Sequence, residues 1–533
     1  MAPGWAEIVW EGPALSRTSL TRILTTAVVV GTFLLISMPR AEATTSFTYT
    51  VTSTGDMNDT NLKDGACTGT CTLRTAIEQA NANCSVDPTV STTIKFDIPG
   101  SGVQTITPVD VTNAGDQSHL APLPGISCPV VIDGWSQGGD GYRGPPLVEL
   151  NGSVAAQHFG ASGLGFGGND NGSTVDGLVI NRWKGSGIEA TGRGGSTSVA
   201  AFTFIGNYIG TDPTGTIAEP NTDDGITIGT IGRATIGGTS AADRNLLSGN
   251  GKRGVFFQGP NTGGASVVQG NFIGTDATGT SAIPNGMSGV ELQGNAGSTI
   301  GGTAAGAGNL ISGNGDQGIA IGGQNVGSMT IQGNRIGTAA DGTSALGNTH
   351  SGIELVDKAT KDRIGGTSAA AANTIAFNGR AGVTIGNGNG HRIVGNSIHD
   401  NGGLAIDITS CGTDACGGVS TNDSGDGDFG PNGWQNFPVI TSVKNADGQT
   451  TVTGTLDSTP NKKFTIDLYA SAQCDDSGYG EGQRYLGATT VTTSGAKSFS
   501  FTVAKVSQQQ ISATATDGAG DTSEMSACVK SPK

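Results

Sequence analysis

The sequence predicts an all-β chain: a right-handed parallel β-helix of three strands per coil and roughly ten coils, with a short N-terminal capping helix and a C-terminal immunoglobulin-like β-sandwich. The first ground is a phrase repeated at nearly constant spacing. GNYIGTDPTGT starts at Gly206, GNFIGTDATGT at Gly270 and GNRIGTAADGT at Gly333, with a shorter copy, GNSIHDNGG, at Gly395. Their asparagines, Asn207, Asn271, Asn334 and Asn396, step by 64, 63 and 62 residues. The second ground is an interleaved phrase: TIGGTSAADRNLLSGN from Thr235, TIGGTAAGAGNLISGN from Thr299 and RIGGTSAAAANTIAFN from Arg363. Periods of this kind mean stacked units, each burying the apolar face of the next. The third ground is 90 glycines without a strict every-third-residue pattern, which fits tight corners and excludes collagen.

Residues 1–43 have the features of an export signal. Arg17 and Arg22 precede the apolar run Ile23 to Met38, and Ala41-Glu42-Ala43 offers a small-residue cleavage site before Thr44. The run is short for a membrane span, and the sequence after it holds no second one. The cap, residues 44–90, carries the one expected helix. Thr72 can cap it, and Leu73, Ile77 and Ala80 recur at helical spacing, so the helix is expected to lie across the open end of the core.

The β-helix is expected over 91–408. Ile94–Phe96, Pro129–Gly134, Leu147–Leu150 and Val175–Ile180 read as early strands. In the coil opening at Thr299 the strands are 299–301, 309–312 and 318–321, with Ile300, Leu310, Ile311, Ile319 and Ile321 inward. An asparagine at each second strand predicts an internal amide ladder. Two loop rows emerge at different corners, each recurring every second coil and so roughly 10 Å apart. Residues 409–436 form an acidic, Gly-rich linker, and 437–533 the sandwich, with strands near 439–443, 450–456, 464–470, 498–503 and 511–516.

All eight cysteines follow residue 43, and an even number in an exported chain reads as disulfides. Proximity favours Cys67–Cys71, Cys84–Cys128, Cys411–Cys416 and Cys474–Cys528. Zinc is the alternative, but no histidine sits beside a cysteine pair.

The segment GACTGTCTLRTAIEQAN, Gly65 to Asn81, resembles the motif of the CSLREA-domain proteins, with Thr72 for the motif's Ser and Thr75 for its Glu. The resemblance runs on through Val131-Ile132-Asp133-Gly134 and the repeats to Asn436-Phe437-Pro438-Val439. It implies an exported bacterial protein with right-handed β-helix repeats, distantly similar to the pectin-lyase-like superfamily, and it implies no settled activity.

Chemistry is thinly advertised. The densest polar cluster comprises His350, Glu354, Asp357, Asp362, Arg363, His391, Arg392, His399 and Asp400. From it, Asp362, Arg363, His391, Arg392, His399 and Asp400 are the catalytic candidates for a polysaccharide lyase, hydrolase or epimerase. Glu291 and Glu354 occupy matched repeat positions, outward on the third strand. Asn422, Asp423, Asp426 and Asp428 supply hard oxygen ligands suited to Ca²⁺, with Asp423, Asp426 and Asp428 the metal candidates. The frame is not an EF-hand, since Ser424 and Gly425 interrupt it and no Glu follows.

Net charge is −16, and residues 1–43 hold equal numbers of acids and bases, so the remainder keeps it. That field repels nucleic acid and uronate polymers alike unless cations intervene. Tryptophans for sugar stacking after residue 43 are Trp135, Trp183 and Trp434. The expected role is binding or adhesion to an extracellular polymer or surface ligand. A carbohydrate-active enzyme is the second expectation and a passive spacer the third.

Overall fold

In the computed structural model the described residues are 46–67, 70–108, 123–154, 160–167, 170–191, 200–230, 232–259, 263–324, 326–409 and 417–533. Residues 1–43, expected as an export signal, and the expected Cys411–Cys416 bridge lie outside them. Residues 44–533 form one compact unit. No helix among the described residues is long and apolar enough to cross a membrane.

Three parallel sheets run the length of the coils: sheet A with 11 strands, sheet B with 10 and sheet C with 9. Each strand pairs with its equivalents one coil up and one coil down, as Val268 pairs with Ile300 and Ile300 with Ile331. Most strands are only two or three residues long, so almost all cohesion runs between coils. The inward column of sheet A (Ile94, Ile132, Val175, Phe204, Ile236, Val268, Ile300, Ile331, Ile364) is essentially fully buried. Each such Ile or Val contributes about 2 kcal/mol of apolar burial, which no isolated coil could realise.

Asparagine ladders hold two of the three corners. At the A–B corner, Asn207, Asn245, Asn271, Asn309, Asn334, Asn373 and Asn396 are joined amide to amide at 2.8–3.2 Å. Asn271 shows the valence. Its Oδ1 accepts from the Asn245 backbone N–H and from Asn245 Nδ2, while its Nδ2 donates to Asn309 Oδ1 and to the Ile236 carbonyl. A second ladder, which the spacing argument overlooks, runs along the B–C corner through Asn221, Asn250, Asn285, Asn314, Asn348, Asn378 and Asn401. The doubled glycine of the TIGG phrase follows from this: at Gly301 φ is +83°, and a Cβ would stand 2.0 Å from the Gln332 carbonyl and 2.5 Å from Asn334 Oδ1.

The structure departs from the sequence reading at several places. The expected strand Val175–Ile180 is two strands of different sheets, Thr174–Asp176 and Leu178–Asn181. Gly177, at φ +64°, turns the corner between them. Leu310 is buried but faces outward. It shares its register with half-buried Phe272 and exposed Arg335, whereas Ile311 aligns with the core residues Ile273 and Ile336. The cap also begins with a strand, Ser46–Val51, which pairs in parallel with Ser91–Phe96 and so opens sheet A before the helix.

The helix spans Leu73–Val86, with Leu73, Ile77 and Ala80 buried. Thr72 and Thr75 form a reciprocal capping box: the Thr75 N–H donates to Thr72 Oγ1, and the Thr72 N–H to Thr75 Oγ1 at 2.9 Å. Arg74 makes a buried two-point ion pair with Asp56 at 2.8 Å. Cys67–Cys71 and Cys84–Cys128 pin the two helix ends.

The sandwich has seven strands where the sequence showed five. Val439–Ala446, Gln449–Leu456 and Lys497–Ala504 form one sheet; Arg484–Thr492, Lys463–Ser471, Gln510–Thr516 and Val529–Lys530 form the other. Cys474–Cys528 closes a 54-residue loop within it. The module seals the last coil. Ile398 and Gly482 exchange backbone hydrogen bonds, the Gly395 N–H donates to Tyr469 Oη, and Tyr469 and Met525 join the rod's core. Open sheet edges at that end are thereby paired or covered. The segment expected as a linker is packed into the seam: Asn432 Nδ2 donates to the carbonyls of His391 and Thr522.

Candidate functional site

The structure separates the cluster around 350–400 into unrelated parts. Asp362 and His391 are fully buried, with His391 Nδ1 3.0 Å from Asp362 Oδ2. Asp362 Oδ1 accepts the Met329 N–H, and His391 Nε2 lies 3.1 Å from the Asn387 carbonyl. That pair braces backbone and faces no cleft. Arg363 and Arg392 are register neighbours on sheet A, two like charges side by side. His350 pairs with Asp316. Asp357 is an exposed turn residue, φ +53°.

His399 and Asp400 pair at 2.7 Å. Asp400 lines a cleft of about 530 Å³ beside the sandwich, with Arg380, Asp407, Asp475, Asp476 and Glu481. Burial, opposed by the Asp400 N–H and reinforced by the charges of Asp400 and Asp475, raises Glu481 to about 7.

On sheet C, Glu291 and Glu354 do lie in one outward column, but both are engaged. Glu291 takes a two-point pair from Arg253, and Glu354, only 7% exposed, accepts from Gln317 Nε2 at 2.9 Å.

Asp423, Asp426 and Asp428 place one carboxylate oxygen each within 4.8 Å of one another. Asp426 also accepts from the Asn436 N–H and Ser458 Oγ, and Asp423 from the Gly427 N–H. Burial raises Asp426 and Asp428, and mutual repulsion with Asp423 adds to it. The set suits a hard cation that would neutralise three converging carboxylates.

The loop rows are interlocked. Hairpins closed by the bridges Thr211–Ala218, Thr275–Ala282 and Thr338–Ala345 fold over the outer face of sheet B. Each hydrogen-bonds the next: the Ala277 N–H donates to the Gly215 carbonyl at 2.9 Å and the Ala340 N–H to the Gly279 carbonyl at 2.8 Å. Beneath them runs an outer column, Tyr208, Leu246, Phe272, Leu310 and Arg335. The close approach of Gly279 to Leu310 and Phe272 shows why Leu310 is buried from outside.

Where that column meets the A–B corner there is a cavity of about 220 Å³, lined by Trp135, Arg143, Tyr208, Arg244, Leu246 and Phe272 among others. Two guanidinium groups sit over aromatic rings there. Arg143 covers Trp135 at 4.8 Å, and Arg244 covers Phe272 at 4.0 Å. Arg244 Nε donates to the Gly270 carbonyl. Among the described residues neither arginine forms an ion pair, whereas Arg74, Arg182 and Arg253 each pair with carboxylates. Beside the cavity, Asp133 and Asp176 are register partners on adjacent strands of sheet A. Burial, then the neighbouring Asp133, raises Asp176 to about 7, against the opposing charge of Arg143.

The sequence held one usable signal for this groove. Arg244 stands where the other copies of its phrase have Gly308 and Ala372, and the aromatic position of Tyr208 and Phe272 becomes Arg335 in the third copy. A departure from the repeat marks a local need that stacking alone does not explain.

No family model matches this chain, and no curated protein matches it either. Among solved structures it is similar to the A-module of mannuronan C-5 epimerase AlgE4 from Azotobacter vinelandii. Identity is 14% and TM-score 0.32, over 63% of this chain and 92% of that one. So distant a likeness bears on neither site nor chemistry.

Proposed function

We propose that this chain is an exported β-helix rod of the CSLREA-like kind that binds an extracellular polysaccharide, in an adhesive rather than a catalytic role. The carrying observation is the groove at the A–B corner: a sugar-sized cavity with ring surfaces and fixed hydrogen-bond donors on a rigid scaffold. It lies beside a row of interlocked hairpins that recurs every second coil, a surface long enough for an extended ligand to continue beyond the groove. Disulfides at the cap and in the sandwich favour an extracellular setting. Binding is favoured over turnover because Asp133 and Asp176 stand beside the cavity and do not line it, leaving no acid–base pair facing a bound bond. Calcium at Asp423, Asp426 and Asp428 belongs to the same reading, as a clamp between rod and sandwich.

Purified, oxidised protein is incubated with immobilised neutral and uronate polysaccharides, with calcium or chelator, and retention and chain length are scored together. The expected result is retention without shortening, weakened about tenfold, or 1.4 kcal/mol, by Tyr208→Ala combined with Phe272→Ala. Shortening of the polymer would select the enzyme reading, and no retention of any polymer would leave the spacer.

A further inference from the structure

We infer that the groove is an anionic-sugar subsite, which seats one uronate residue with its carboxylate between Arg143 and Arg244. This rests on the polysaccharide reading and narrows it to a ligand class. Three observations converge. Both guanidinium groups line one cavity, and neither forms a close ion pair among the described residues, although Arg143 lies near enough to Asp176 to feel its charge. Each guanidinium carbon sits over a ring, 4.8 Å from the centre of Trp135 for Arg143 and 4.0 Å from that of Phe272 for Arg244. A guanidinium is a planar fork matched to a carboxylate. The volume of about 220 Å³ lies below the range for drug-sized ligands and fits a single ring.

The chain's overall charge makes this placement informative. At net −16 the surface repels polyanions, so a neutral ligand would need no arginine here. The repeat supplies Gly308 and Ala372 at the positions equivalent to Arg244, so a cation is not needed to build the corner. Tyr208 and Leu246 complete the wall, offering apolar surface to the C–H face of a pyranose. An acidic peptide or a sulfated glycan presents similar charge. The uronate is favoured because a cavity of about 220 Å³ admits one ring and combines the apolar wall of Tyr208 and Leu246 with two guanidinium groups.

The test measures affinity of the oxidised protein for a defined uronate oligomer, its methyl ester, a neutral galactan of equal length, a sulfated glucan and polyglutamate. Expected is at least about tenfold preference for the uronate over its ester, with the preference abolished in Arg143→Gln and Arg244→Gln. Arg244→Lys, which keeps the charge and loses the fork, should lose most of it. Arg233→Gln, an exposed arginine on sheet A, should change nothing. Thermal melts of each variant separate lost binding from lost fold. Equal binding of acid and ester would overturn the inference while leaving the polysaccharide reading intact. Tighter binding of sulfated glucan or polyglutamate would overturn it in favour of those ligands. Failure to bind any glycan would overturn both.

Discussion

At the scale of single residues, this protein makes its corners with amides. Asn271 is fully buried and uses both lone pairs and both N–H bonds on neighbouring coils. Asn271→Ala would take the acceptor from two donors on Asn245 and the side-chain donor from the Ile236 carbonyl, while Asn309 Oδ1 would keep the Asn271 backbone N–H. Since each unsatisfied buried group costs about 1–3 kcal/mol, a loss of about 4 kcal/mol or more is expected in urea denaturation. The same change at exposed Asn61 should stay within about 0.5 kcal/mol. Hydrogen exchange at the Asn245 amide should report the break locally.

At the scale of elements, the ends carry the protection that the repeats cannot provide for themselves. The helix with its capping box covers the first coil, and Cys84–Cys128 ties it to the segment before the strand Val130–Asp133. That bridge closes 44 residues, for which chain entropy gives about 4 kcal/mol of stabilisation. The Cys84→Ser, Cys128→Ser double variant is therefore expected to lose protection first in the cap, seen as early proteolysis near the helix, with the central coils intact. At the other end, Asp423 and Asp426 hold the seam segment against Asn436 and Ser458, with the Asp428 carboxylate converging on theirs. Calcium should raise the melting temperature and chelator lower it; Asp428→Asn should remove the difference. No calcium effect on the native protein would discard the clamp.

The whole molecule carries a pH signature set by burial. Asp170 is raised to about 6, Asp176 and Glu481 to about 7 and Glu524 to about 8, burial being the largest cause in each. Their folded values exceed their unfolded ones. Their stabilising contribution is therefore complete below about pH 4 and is lost as pH climbs through 6 to 8. Asp212 and Asp276 act oppositely: burial pushes them up, but hydrogen bonds within their hairpins outweigh it. Asp341 falls to about 2 through hydrogen bonds from Ser344 and Thr343. Their contributions fade below about pH 4. The melting temperature should thus peak in mild acid, near pH 5, and decline toward pH 9. Glu524→Gln should flatten the alkaline side, because Glu524 sits in the seam, accepting from the Ile408 and Ser420 N–H groups. A melting temperature that rises from pH 5 to pH 9 would contradict this.

The repeat, the three-strand coil and the first asparagine ladder were legible in the sequence, because each depends on contacts between equivalent residues one coil apart. Spacing alone reports such contacts. The cap helix was legible through the local spacing of Leu73, Ile77 and Ala80 behind Thr72. The pairing of Cys67–Cys71 and Cys84–Cys128 was legible through proximity. Tertiary structure alone decided what depends on non-equivalent residues. It turned Leu310 outward under a hairpin, split the run around Gly177 between two sheets, and sealed the last coil with Tyr469 and Met525 of the sandwich. It buried Asp362 and His391, which a sequence lists beside exposed Arg363 and half-buried Arg392 without distinguishing them. It also drew Trp135, Arg143, Tyr208, Arg244 and Phe272 from across 138 positions into one cavity. Periodicity records what every coil shares, so a site assembled from what single coils do differently becomes visible only once the coils are stacked.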